Sequence, residues 1–237
     1  MKTPEKSYVS LATSLSFKII FIFLLLKLPV FAQTTNVVWE PETKINISTE
    51  SRWSFNFNIS HRNITNNNLD SNIEGNHVDF SHFSNYQSGF YSKLSLGLRY
   101  RNRDWIEPEK SNEFRITQQY NHSRGFDKIR LGHRIRFEQR FYDTQTEFRP
   151  RYRLNLQTPL QGLSLDTGEF YAVFSTEALY TISTQSAPSL DQRFASGLGY
   201  EVSSTLKLEI STEYRLEGYL NDPGGQVFGF TSAIIDL

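Results

Sequence analysis

From Trp53 to Ser60 every odd-numbered residue is apolar and every even-numbered residue is polar. Successive side chains of a strand point to opposite faces, so this run makes a ribbon with one greasy and one polar side. The pattern recurs along the chain. Leu94, Leu96, Leu98 and Tyr100 alternate with Ser95, Gly97, Arg99 and Arg101. Ile129, Leu131, Ile135, Phe137 and Phe141 alternate with Arg130, Gly132, Arg134, Arg136, Glu138 and Arg140, and Phe148, Tyr152, Leu154 and Leu156 with Arg149, Arg151, Arg153 and Asn155. Leu206, Leu208, Ile210, Tyr214 and Leu216 alternate in turn with Lys207, Glu209, Ser211, Glu213 and Arg215. His133, Gln139, Pro150 and Thr212 interrupt the apolar face. The alternation predicts strands near 52–62, 78–91, 94–104, 112–122, 128–142, 146–157, 168–180, 192–202, 205–217 and 226–237, and Ile45 and Ile47 add one or two at the start. Ten or twelve strands are expected.

Three features distinguish a barrel turned inside out from a soluble sandwich. The segments are near the ten or so residues that a tilted membrane strand needs. Tyr100, Tyr120, Tyr142, Tyr180 and Tyr200 stand near segment ends, where an amphipathic ring suits an interface. Gly97, Gly132, Gly197 and Gly199 share the polar face with many arginines, which suits a crowded lumen. The expected fold is all-β, an antiparallel transmembrane β-barrel of 10–12 strands. Tight turns at Ser92-Lys93 and Ser203-Ser204 and longer connections at 63–77, 105–111, 181–191 and 218–225 fit periplasmic turns and extracellular loops, with a periplasmic C-terminus. The short 143–145 connection breaks that rhythm, and Leu237 replaces the usual terminal aromatic residue.

The start of the chain reads separately. Lys2, Lys6 and Lys18 precede the apolar run Ile19 to Leu26, and Val30, Phe31 and Ala32 follow Pro29, the pattern of a secretory signal cleaved after Ala32. Residues 1–32 are therefore expected to be a signal peptide and 33–237 a single barrel domain in a bacterial outer membrane. Removing the signal leaves 21 basic and 24 acidic side chains. The chain has no Cys, which excludes disulfide scaffolds, thiolate metal sites and Cys nucleophiles. At 38% hydrophobic and 14% aromatic residues it is too apolar for a disordered polymer.

Trp39, the strand Trp53 to Arg62, the stretch Leu94 to Arg101, the run His133 to Phe141 and the following Arg149-Pro150-Arg151-Tyr152-Arg153 resemble the domain of unknown function 2490 family. The resemblance implies an exported barrel-like protein of Gram-negative bacteria. It implies no catalytic residues.

Candidate chemistry lies on the polar face. Arg99, Arg101, Arg115, Arg130, Arg134, Arg136, Arg140, Arg149, Arg151 and Arg153 crowd one third of the chain with Glu138, whereas Glu177, Glu201, Glu209 and Glu213 dominate the later strands. Two readings follow. The charges pair across and along the lumen and fill it, since a charge inside a protein must be paired; or they form a polarised narrow pore or a site for an anionic small molecule, since guanidinium groups bind phosphate and carboxylate bidentately. A protein of structural, binding or narrow-pore type is expected, with the lipid bilayer as partner and with no cofactor, metal site or nucleic-acid partner. Aromatic residues and arginines occupy opposite strand faces, so they cannot share one stacking-and-phosphate surface.

His82 and Ser84 share a strand face two residues apart, a spacing that rim-located lipid or lipopolysaccharide hydrolases use, with the base taking the hydroxyl proton. The motif is weak, and because His77 and Ser81 lie in the same polar stretch a solvated strand end is the preferred account of the pair. A soluble periplasmic β-protein is the third reading. Four Asn-x-Ser/Thr triplets, at Asn46, Asn58, Asn63 and Asn121, occur by chance, two of them inside predicted strands.

Overall fold

The computed structural model describes residues 37–65, 73–106, 109–219 and 223–237. The predicted signal segment lies outside them. Eleven strands in an up-and-down meander make one closed barrel among the described residues: β1 (Val37–Ser48), β2 (Trp53–Thr65), β3 (Ile73–Gly89), β4 (Ser92–Asn102), β5 (Glu113–Phe126), β6 (Ile129–Phe141), β7 (Thr146–Pro159), β8 (Phe170–Ser183), β9 (Ser189–Ser203), β10 (Leu206–Glu217) and β11 (Gly224–Asp236). Each predicted segment corresponds to one of β2 to β11. The expected ten or twelve become eleven because the alternation at Ile45 and Ile47 belongs to a single further strand, β1. The tight turns also shift: Ser92 and Lys93 open β4 and the turn is Phe90-Tyr91, while the β9–β10 turn is Ser204-Thr205.

An odd count dictates how the barrel closes. Meandering neighbours alternate in direction, so the first and eleventh strands run the same way, and β1 pairs with β11 in parallel from Val37↔Val227 to Asn46↔Asp236. Every other pairing is antiparallel. Parallel ladders are slightly less stable per residue. Inward-facing side chains bridge this seam: Asn46 Nδ2 donates to Asp236 at 2.7 Å and Ser232 Oγ to Glu42 at 2.6 Å. From Asp236 the polar chain continues to Lys207 at 2.9 Å on one side, and on the other through Asn46 to Asn56 and Asn85. Β1 starts and β11 ends at opposite ends of the barrel. The links β2–β3, β4–β5, β6–β7, β8–β9 and β10–β11 join strand ends at one end of the barrel; β1–β2, β3–β4, β5–β6, β7–β8 and β9–β10 join them at the other. The latter are mostly shorter, with 160–169 the exception.

The two faces are inverted relative to a soluble protein. Leu96, Ile135 and Ile210 face outward at 54%, 58% and 60% exposure, whereas Glu113, Glu138 and Glu177 face inward at 1%, 0% and 1%. His133, Gln139, Pro150 and Thr212 lie on the outward face, in register with the apolar residues.

Two glycines allow inward aromatic rings to lie on the wall. Gly97 stands opposite Phe83 and Gly199 opposite Tyr171, and a Cβ on either would fall 2.2 Å or 2.0 Å from the ring. Gly199→Ala and Gly97→Ala should each destabilise the barrel by about 1–3 kcal/mol through overpacking. Gly224→Ala, where a Cβ meets nothing within 4 Å, should leave the urea-unfolding midpoint unchanged.

Candidate functional site in the barrel lumen

The strand register sets arginines directly opposite one another. Arg99 faces Arg115 and Arg115 faces Arg140; Arg136 faces Arg151; Arg134 faces Arg153 and Arg193 faces Arg215. Like charges so placed repel. The barrel tolerates them because buried carboxylates stand at neighbouring positions, and burial without such partners would cost several kcal/mol per charge.

Glu138 is the most heavily coordinated. Around it lie Arg151 Nη1 at 2.7 Å, Arg140 Nη2 at 3.0 Å, Arg136 Nη1 at 3.3 Å and Arg115 Nη1 at 3.5 Å. Glu177 accepts from Arg151, from Arg153 at 2.9 Å and from Arg134 at 3.2 Å. Asp79 takes both Nε and Nη2 of Arg101 at 2.7 Å, a bidentate pair, and Arg99 at 3.3 Å. Glu113 pairs with Arg115, accepts from the Tyr142 hydroxyl at 3.2 Å and lies 3.7 Å from Arg140. Glu213 accepts from Arg215 Nε at 2.6 Å, and Glu40 takes Arg62 at 2.7 and 2.8 Å. Between Arg215 and Arg62 stands Phe228, with the two guanidinium carbons 3.4 and 5.1 Å from its ring centre, a cation–π bridge across β11.

The result is a girdle to which all eleven strands contribute. Most of its pairs join residues of one strand or of adjacent strands, so the charges line the wall, and a cavity of about 580 Å³ remains inside. Arg149 lies 3.7 Å from Glu147. Three residues expected in the charge network stand apart from its ion pairs. Arg130 is exposed near the start of β6, Glu209 accepts from the Tyr171 hydroxyl at 3.2 Å, and Glu201 is held by backbone bonds to Gly168 and Glu169. Conversely, Glu40, Arg62, Asp79 and Phe228 belong to the girdle and were not singled out from sequence. Asp79, between Val78 and Phe80, carried the alternation signal; Glu40 sits on the strand of which only Ile45 and Ile47 were recognised.

His82 and Ser84 fall outside the lumen. They face outward in the middle of β3, opposite Phe57 and Phe55 on one side and Leu98 and Leu96 on the other, so the solvated strand end expected for them is not where they lie. His82 Nε2 and Ser84 Oγ are 3.0 Å apart, but Nδ1 is buried without a hydrogen-bond partner. A general base must accept at Nε2, which places the proton on Nδ1, where no acceptor orients it. The geometry favours the other tautomer, with Nε2–H donating to Ser84 and the bare Nδ1 beside the Phe55 and Phe57 rings.

These features define a class: a closed antiparallel meander with a parallel seam, an apolar exterior and an arginine–glutamate interior. The family model described as "Protein of unknown function (DUF2490)" matches residues 39–223, and the chain belongs to that family. No curated protein matches it.

Glu138→Ala leaves four guanidiniums around an empty position and should cost about 3–5 kcal/mol of unfolding free energy, whereas Arg130→Ala, outside the network, should stay within about 0.5 kcal/mol; urea titration of both variants checks the difference. His82→Ala and Ser84→Ala should leave phospholipid and lipopolysaccharide hydrolysis indistinguishable from wild type. Loss of a measurable hydrolysis with folding intact would make the outward pair catalytic.

Proposed function

We propose that this chain is an outer-membrane β-barrel of structural, binding or narrow-pore type, its lumen held in shape by the arginine–glutamate girdle. The observation that carries the reading is the inversion of faces. A water-soluble monomer rarely exposes a contiguous apolar patch beyond a few hundred Å², and here the large outward residues run around the barrel on every strand from β1 to β10. Outward aromatic residues also gather toward both ends: Trp39, Tyr100, Phe114, Phe141, Phe148, Tyr180 and Tyr214 at one, Trp53, Tyr86, Tyr91, Phe126, Phe170 and Tyr200 at the other. Leu96, Leu98, Ile59, Ile135 and Ile210 occupy the band between. Two interfacial aromatic belts flanking an aliphatic band match a bilayer-spanning barrel.

In this reading the end with mostly shorter connections faces the periplasm and the girdle lies toward the outer surface. The strand count departs from the even numbers of bacterial outer-membrane barrels, but odd-numbered membrane barrels exist. The charged interior supports the same assignment, because lipid outside forces polar groups inward. The girdle narrows the lumen without packing it solid.

The expected behaviour is recovery from the membrane fraction only with detergent, and a faster-migrating unheated gel band that shifts on boiling. Release of the native protein by a salt or osmotic wash would contradict the assignment. In planar bilayers the girdle predicts at most small single-channel events, and Arg134→Ala or Arg136→Ala should enlarge them.

A further inference from the structure

We propose that the lumen is a binding site for a phosphate-bearing small molecule, held by Arg134, Arg153 and Arg193. The inference rests on inward-facing side chains alone and stands whatever bathes the outer face.

Its basis is an imbalance of charge within the lumenal ion pairs. Among the described residues, the linked ion pairs of β3 to β10 hold ten arginines, at 99, 101, 115, 134, 136, 140, 151, 153, 193 and 215, against five carboxylates, at 79, 113, 138, 177 and 213. A cation held away from water needs an anion close by. The surplus is local. One row across the wall reads Arg134, Arg153, Glu177, Arg193, Arg215, each directly opposite the next on the neighbouring strand. Glu177, the only carboxylate of that row, is already shared by Arg134, Arg151 and Arg153. Arg215 is satisfied by Glu213. Arg193 has Glu213 no nearer than 3.8 Å, beyond hydrogen-bond reach. The Nε atoms of Arg134, Arg153 and Arg193, like those of Arg103, Arg149 and Arg151, are buried without a hydrogen-bond partner.

The same three residues line the cavity, where the wall beside them is small: Ser175 on β8, Ala195 and Gly197 on β9. Its volume of about 580 Å³ falls in the range of small-molecule sites. Phosphate suits the donors better than a spherical halide. Its several oxygens accept from more than one planar guanidinium fork at once. A free oligophosphate and a phosphate ester present this same chemistry.

Titration calorimetry on the purified, folded full-length protein at low salt tests the site, with inorganic pyrophosphate and glycerol 3-phosphate as probes. Saturable binding that weakens with added salt is expected, and the tighter of the two probes distinguishes a free from an esterified phosphate. Arg193→Ala should weaken binding about tenfold or more, consistent with loss of a charge-assisted bidentate contact, while Arg130→Ala should bind as wild type. Absence of binding by both probes at up to about 10 mM would overturn the proposal. So would unchanged affinity in Arg193→Ala. Should that variant fail to fold, Arg193→Lys keeps the charge and loses the fork; a several-fold drop is then expected, and wild-type affinity again overturns the site.

Discussion

A carboxylate with no solvent exposure, Glu138, sits among four guanidinium groups, and the shape of the barrel depends on pairs of this kind. The strand register forces arginines opposite arginines, so the wall would push itself apart without glutamates between them. Because each guanidinium offers several donors in a plane, Arg151 can serve Glu138 with one nitrogen and Glu177 with another. Lysine carries its three donors on one nitrogen and lacks the planar fork that reaches two neighbours from separate atoms. The preference for arginine, 16 residues against 9 lysines in the chain, has a physical origin in this bridging.

The same constraint links the interior to the seam. Parallel closure is the consequence of an odd strand count, and the side chains that cross it are polar and inward: Asn46 with Asp236, Glu42 with Ser232, and Phe228 between Arg62 and Arg215. Interior polarity thus stabilises closure at the pairing with the weakest ladder. On the outer face of the seam Thr231 and Ala233 of β11 face Pro41 and Thr43 of β1, flanked by Gly229 against Trp39 and Ile235 against Ile45. The charges inside and the aliphatic band outside are two results of a single period-two pattern.

Much of the architecture was legible because alternation is read two residues at a time and needs no long-range information. Trp53 to Ser60 and Leu94 to Arg101 displayed both faces in sequence, and which one turns inward followed from glycines sharing a face with arginines. The strand number was harder to read. Β1 carries Val38 on its inward face and only Pro41 and Thr43 between Trp39 and Ile45 on its outward one, which weakens the alternation over its first half, so its recognition depends on hydrogen bonds to β2 and β11 that no local pattern encodes. The partners within the lumen were illegible for a similar reason. That Glu177 meets Arg134, two strands away, follows from register and curvature, and Phe228 became a bridge only once closure placed it between two distant arginines. His82 and Ser84 show the converse: their spacing was visible, but the missing partner of Nδ1 was not.

The central claim is that lipid contacts the apolar exterior while the guanidinium face looks inward. Because the natural chain has no Cys, single cysteines can be introduced and spin-labelled at Leu96, Ile135 and Ile210 in bilayer-reconstituted protein. Collision with lipid-soluble oxygen, compared with a water-soluble nickel chelate, then reports the environment of each site. The account predicts high oxygen and low chelate accessibility at all three. Free access of the nickel chelate to them would place the exterior in water and contradict it.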